Sequence, residues 1–238
     1  MTLALSRIPR SRDSAMIPWE LLDRAPVPGN GGELCLYRRG TEFSIRADGW
    51  ELMNSLVHGS EEALAELACD RISRGLGPRV LVGGLGMGFT LAALLPRLGG
   101  GAQVVVAELV AAVVTWNRGP LGELAGYPLR DDRVQVRVTD VAELLRAERE
   151  GYDAILLDVD NGPQGLTRQG NNWLYARPGL AAASAALRPG GVLAVWSAGP
   201  DSPFSARLRR TGLKVEEVRV RGRSPFGRGR YTIWIARR

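Results

Sequence analysis

At 238 residues, 45% hydrophobic and 24% charged, the chain has the makings of one large domain, or one domain with a small appendage, around a sizeable core. Two cysteines, Cys35 and Cys69, and one histidine are too few for a disulfide framework or a zinc site, so no metal is expected. The formal charge of +6 invites a nucleic-acid reading, but Lys214 is the sole lysine and the arginines are interspersed with acids, as in Arg130-Asp131-Asp132-Arg133, except in the dense basic stretch Arg219–Arg230 with Arg237-Arg238, whose role is left open. That mixture reads as solvated surface, and a nucleic-acid partner is not expected.

Residues 1–15 hold arginines without the roughly 7–15-residue apolar stretch of a secretory signal, and are expected to be a flexible tail. The longest apolar runs, such as Val104–Ala107 and Gly190–Trp196, fall far short of the roughly 18 residues that span a membrane. A cytoplasmic protein with reduced cysteines is expected.

Glu33–Arg38 and Thr41–Arg46 read as two short strands around Arg39-Gly40, a small N-terminal β-hairpin within a segment 16–60. This hairpin offers a homodimer contact. Glu61–Ile72 has a helical apolar period, with Ser60 as N-cap and acids in the first turn.

From Arg79 the pattern alternates. The strands are Val80–Val82, Val104–Glu108, Val134–Val138, Asp153–Asp158 and Gly191–Ser197. Between them lie helices at Thr90–Leu98, Val110–Trp116, Val141–Glu148 and Leu180–Leu187. Such alternation predicts an α/β fold, a Rossmann-like parallel sheet with helices on both faces, over residues 61–238. Val215–Arg221 and Tyr231–Ala236, with no helix between them, close it as an antiparallel C-terminal hairpin, giving seven strands.

Gly84-Leu85-Gly86-Met87-Gly88 follows a strand and opens a helix, where glycines permit a tight turn and close approach of a ligand to backbone. Glu108 ends the next strand, twenty residues past Gly88, placed to accept hydrogen bonds from a ribose diol. Leu109 follows it. Asp140, before Val141, either contacts an adenine amino group or caps the next helix, and the two roles are compatible. Asp158 ends an apolar strand at the same sheet edge and is the candidate general base. Asp160 and Asn161 follow it, either as further site residues or as parts of a turn. Trp19, Trp50, Met53, Trp173 and Tyr175 are candidates to line a substrate pocket; for the aromatics, ordinary packing is the competing reading. His58 has no visible partner and reads as structural.

Taken together, these motifs resemble the spermidine synthase-like branch of the class I S-adenosylmethionine-dependent methyltransferase fold, over roughly Glu33 to Ser197. Arg79–Leu91 is similar to that family's nucleotide loop, Val106-Ala107-Glu108 to its ribose-binding acid, Thr139-Asp140-Val141 to its adenine-binding Asp, and Tyr152–Asp158 to the strand ending in its amine-activating Asp. Three departures stand beside these likenesses. Met87 replaces an Asp of the loop, Leu52 and Met53 replace a Tyr and a Gln or His of the gate, and Asp158-x-Asp160-Asn161 replaces Asp-x-x-Asp-Pro. The resemblance implies S-adenosylmethionine as cofactor, or its decarboxylated form, and a small-molecule acceptor. The departures point to methyl transfer onto a more apolar acceptor ahead of aminopropyl transfer onto an amine. Aminocarboxypropyl transfer and a non-catalytic, nucleic-acid-binding use of the fold rank behind both.

Overall fold

Four apolar runs, Val80–Val82, Val104–Ala107, Ala154–Leu157 and Val192–Trp196, each closed by a glycine, acid or serine, set the frame, because strands buried on both faces need side chains that tolerate either. In the computed structural model, residues 17–29, 32–72, 77–159, 163, 172–224 and 227–238 are described, with backbone alone for 172 and 221–229. The expected tail 1–15, and Asp160 and Asn161, lie outside them.

The central strands are β5 (Arg79–Gly83), β6 (Gln103–Glu108), β7 (Val134–Val138), β8 (Tyr152–Leu157) and β9 (Leu187–Ser197). With β10 (Lys214–Ser224) and β11 (Gly227–Arg237) they form one sheet in the order β10-β11-β9-β8-β5-β6-β7. Neighbours from β7 to β9 are parallel, while β11 is antiparallel to both β9 and β10. This is the seven-stranded α/β sheet expected from the alternation.

The helices are α1 (Gly59–Cys69), α2 (Phe89–Leu94), α3 (Ala111–Arg118), α4 (Val141–Ala147), α5 (Asn172–Tyr175), α6 (Arg177–Ala186) and α7 (Ser202–Arg209). Alternate residues of each strand feed two cores. Val80, Val82, Val104 and Val106 pack with Leu64 of α1, Leu91 of α2 and Val113 of α3. On the other face Leu81, Val105 and Ile155 pack with Leu145 of α4, Leu180 of α6 and Phe204 of α7.

Several expectations are revised. The N-terminal hairpin is the middle of a four-stranded antiparallel sheet, β1 (Glu20–Pro26), β2 (Glu33–Arg39), β3 (Glu42–Ala47) and β4 (Trp50–Asn54). The outer strands were illegible because β1 has a single buried residue, Ala25, and β4 has none, so neither needs strict apolar alternation. Leu36 and Ile45 of this sheet join the α1 core, and Asp23 of β1 accepts a 2.7 Å hydrogen bond from the Trp116 indole of α3. At the start of α1 the N-cap is His58, without a side-chain cap bond; Ser60 is buried within the first turn and donates to Glu61 instead. The helix expected at Leu180–Leu187 starts earlier and ends at Ala186, since Leu187 already pairs with Tyr152 in the sheet.

Candidate active site

The chain lays down β5, β6 and β7 outward in one direction, then returns to set β8 on the other flank of β5. The carboxyl ends of β5 and β8 therefore frame a switch point, the crevice where open α/β sheets take ligands. Asp158 donates its backbone N–H to the Gly83 carbonyl at 2.9 Å, and Gly84 donates to Ala107 at 2.9 Å, so the ends of β8, β5 and β6 are stitched together there.

Gly84, Gly86 and Gly88 all adopt left-handed φ values, +90°, +53° and +84°. At Gly84 the requirement is doubled, because a Cβ would overlap the Asp158 carbonyl oxygen. A Cβ at Gly86 would lie 3.0 Å from the Met53 sulfur, so Met53 sits directly over the turn, bringing the N-terminal sheet to the site. Asn117 of α3 donates to the Gly86 carbonyl at 2.8 Å and holds the turn from below. Leu85 and Met87 are 5% and 2% exposed: their side chains anchor the turn in the core, and its outward face is backbone.

Glu108 is buried, and its carboxylate accepts 2.9 Å bonds from the backbone N–H of Leu85 and of Val110. The acid at the end of β6 is thereby locked to the glycine turn. Leu109 beside it is half-buried. Asp140 is the N-cap of α4, accepting from Ala142 N–H at 2.8 Å, which is the capping role. Val141 is buried, close enough that a Cβ on Gly83 would lie 2.9 Å from its Cγ2.

Asp158 accepts a 2.5 Å hydrogen bond from the hydroxyl of Thr90, a buried residue of α2. The residue keeps some surface, but its carboxyl is so enclosed that desolvation dominates. Burial, aided by the negative charge of Glu61 and opposed by the Thr90 bond, pushes it up to about 7. Glu61, in the first turn of α1, is raised as well, chiefly by burial, and is held down by the Ser60 bond and by His58. Burial and the same Glu61 charge also raise the Tyr231 phenol.

The sequence did not single out Glu61, Thr90 or Tyr231. They stand 97, 68 and 73 positions from Asp158, and only the packing of α1 and α2 over the sheet and the return of β11 unite them. The one local signal was the acid directly after Ser60, indistinguishable from an ordinary first-turn glutamate.

Of the expected lining residues, only Met53 is brought to the glycine turn. Trp50 is 79% exposed at the start of β4. Trp19 stacks with Arg39 and Arg46 on the N-terminal sheet. Trp173 lies under the Arg146 guanidinium, 3.8 Å from its ring centroid. Tyr175 is buried in the core of the opposite face, where its hydroxyl donates to the Val159 carbonyl. That bond ties it to the residue after Asp158. His58 stacks on Phe89 at 4.2 Å and meets Glu62 at 2.7 Å. Among the described residues there is no cluster of three or more metal-ligating side chains, and no helix long and apolar enough to cross a membrane.

No family model matches the sequence. The polyamine aminopropyltransferase of Mycobacterium tuberculosis is 28% identical over 180 residues, 74% of this chain and 33% of that protein. Putrescine N-methyltransferase 4 of Nicotiana tabacum is 35% identical over 118 residues, 48% of this chain and 28% of that protein. The chain thus spans about a third of the length of these curated relatives. Among solved structures, spermidine synthase from Thermotoga maritima superposes with a TM-score of 0.72 at 17% identity, over 91% of this chain and 72% of that one. A probable spermidine synthase from Corynebacterium glutamicum gives 0.60 at 16% identity, over 90% and 79%. The chain has the spermidine synthase form of the class I methyltransferase fold.

Proposed function

We propose that this protein is a transferase that takes an S-adenosylmethionine-type donor and hands one of its sulfonium substituents to a small-molecule amine. The observation that supports it most is the pairing at one switch point of a carboxylate locked to the glycine turn, Glu108, with a second carboxyl, Asp158, that is poised to gain or lose a proton near neutral pH.

Glu108 is assigned to the ribose hydroxyls, the backbone of Gly84–Gly88 to the sulfonium arm, and Asp140 with Val141 to the adenine edge. Leu85, Met87 and Leu109 shape that face through the core. The donor supplies an electrophilic carbon on a positively charged sulfur. Asp158 takes a proton from the acceptor nitrogen, and Thr90 fixes which oxygen of Asp158 is presented. In-line transfer then depends mainly on positioning. Asp160 and Asn161, just beyond Asp158 in the sequence, remain assigned to the acceptor side.

Methyl transfer from S-adenosylmethionine is the first reading. With Met87 buried in the core, the turn offers no carboxylate to the free amine of a decarboxylated donor. Aminopropyl transfer is the second, favoured by the longer stretch of likeness to an aminopropyltransferase than to a putrescine N-methyltransferase. Calorimetric titration with S-adenosylmethionine and, separately, with its decarboxylated form tests both. Tighter binding of the carboxylated compound supports methyl transfer; tighter binding of the other reverses the order, and binding of neither removes the proposal.

A further inference from the structure

The strand ends at the switch point set a row of side chains across it. Leu157 of β8 is paired with Val195 of β9, so the next residues, Asp158 and Trp196, follow as neighbours on strands that lie roughly 5 Å apart. Leu156 and Ala194 belong to the core beneath α1, and Leu157 and Val195 to the opposite one, so alternation turns Asp158 and Trp196 to the α1 side. Their contacts agree, since Asp158 bonds Thr90 of α2 and Trp196 packs in the α1 core. Tyr231 extends the row onto β11, just before the Thr232–Ser197 pair, and tilts against Trp196 with ring centroids 5.5 Å apart.

One atom in this row is unsatisfied. Trp196 is 9% exposed, and its indole N–H has no acceptor among the described residues. Only one other buried side-chain polar atom among them lacks a partner, the Asn117 side-chain oxygen, and it too borders the site, 2.8 Å from where a Cβ on Gly88 would stand. Buried donors are nearly always paired, so an orphan beside the candidate base marks where an atom with a lone pair is received. An ammonium has none to offer. Once Asp158 has taken its proton, the acceptor nitrogen has a single lone pair, and in-line transfer turns that pair toward the donor carbon. The partner of Trp196 is therefore a second atom of the acceptor. Beside the Asp158 carboxyl another carboxylate would meet like charge, which leaves a neutral oxygen.

We propose that Trp196 is a specificity-determining residue that donates its indole N–H to a neutral oxygen carried by the acceptor close to its amine. The inference rests on the transferase reading above and gives the acceptor a class: a short amino alcohol or amino amide, not an alkane diamine. Thr90 occupies one oxygen of Asp158 and leaves the other to the nitrogen. Trp196, one strand along, holds the acceptor oxygen, so two contacts fix the direction in which the nitrogen attacks. The Tyr231 ring backs the indole and limits its turning. An amino alcohol carries one positive charge where a diamine carries two, which suits a glycine turn whose buried Met87 offers no carboxylate. A diamine brings a second ammonium to Trp196 and sets donor against donor, which weakens its binding.

Three-carbon amines that differ only at the far end provide the test: 3-amino-1-propanol, 3-aminopropanamide, 1,3-diaminopropane and 3-aminopropanoate, each added with S-adenosylmethionine and, separately, with its decarboxylated form. The chain has six tryptophans, and the Trp196 indole proton is picked out of the wild-type NMR spectrum by its contact with the Tyr231 ring. With the amino alcohol or the amide it is expected to move downfield, further than any other indole proton, as its hydrogen bond forms; with the diamine it is expected to stay. By calorimetry the wild type is expected to bind the amino alcohol or the amide about tenfold more tightly than the diamine or the acid, the effect of satisfying one buried donor. Trp196→Phe keeps a ring, removes the N–H and is expected to erase that preference, while the donor, still bound, reports an intact fold. An unmoved indole proton, or equal wild-type binding of amino alcohol, amide and diamine, overturns the assignment whether or not the variant folds. Tightest binding of the acid overturns the neutral oxygen. Absence of donor binding in the same samples overturns the transferase reading instead, and the indole proton then decides on the oxygen site by itself.

Discussion

Asp158 carries opposite demands for stability and for chemistry. Its folded carboxyl is raised to about 7 from the ordinary value of 3.8, so between those two pH values the native state binds a proton that the unfolded chain has released. Stability therefore falls as pH rises through that window and levels off above it. Asp158→Asn removes the decline; urea midpoints at pH 4 and pH 8 are expected to differ less in the variant than in the wild type. The same substitution is expected to leave donor affinity nearly intact while slowing turnover by about 100-fold or more, the ordinary contribution of a positioned base. Glu108 behaves differently. Glu108→Ala strands the backbone N–H groups of Leu85 and Val110, so it should cost about 1–3 kcal/mol of stability together with a loss of donor binding. Thermal melting with and without S-adenosylmethionine separates the two effects. Glu108 was legible in the sequence because it ends a strand twenty residues past Gly88, and Asp158 because it follows an apolar strand at the same sheet edge. Glu61 was not: a long-range pairing leaves no local trace, and an acid in a first helical turn already has a sufficient local explanation.

Among the elements, the glycine turn has the least latitude. Gly84→Ala meets both a left-handed φ and the Asp158 carbonyl, and is expected to lower stability by about 3 kcal/mol or more or to prevent folding; circular dichroism and melting show which. Gly86→Ala faces a flexible methionine instead, so its expected cost is nearer 1–2 kcal/mol, with donor affinity reduced as Met53 is displaced. The N-terminal sheet is fastened to the seven-stranded α/β unit partly by the Trp116–Asp23 bond. Trp116→Phe should raise amide exchange in β1 and β2 while exchange in β5 and β8 stays slow. The buried strands β5, β6, β8 and β9 and their helices were readable because parallel strands covered on both faces demand apolar runs, and the edge strand β7 by the alternation of Val134–Val138. The half-exposed β1 and β4 were not, since nothing in their burial requires a pattern. The helix α7 did leave a signal, Asp201 followed by Ser202-Pro203; Asp201 indeed caps it by accepting from Phe204 N–H at 2.7 Å.

Across the whole molecule, several of the described arginines are engaged in ion pairs. Arg38, Arg71, Arg79, Arg97, Arg133, Arg188 and Arg238 each meet a carboxylate on scattered parts of the surface. Charge dispersed in this way gives a weak field for a polyanion, and retention on heparin is expected to vanish at modest salt. The order of strands has a consequence for synthesis. The strand latest in the sequence, β11, is not at the rim but between β9 and β10, pairing Thr232–Arg237 with the buried stretch Val192–Ser197. A chain emerging from the ribosome can assemble β5 to β9 early, yet it must carry the bare backbone edge of β9 until residues 227–237 appear. Throughout that interval the growing protein resembles an open template for stray strands, and a message cut short before Gly227 should yield aggregates rather than a smaller working enzyme.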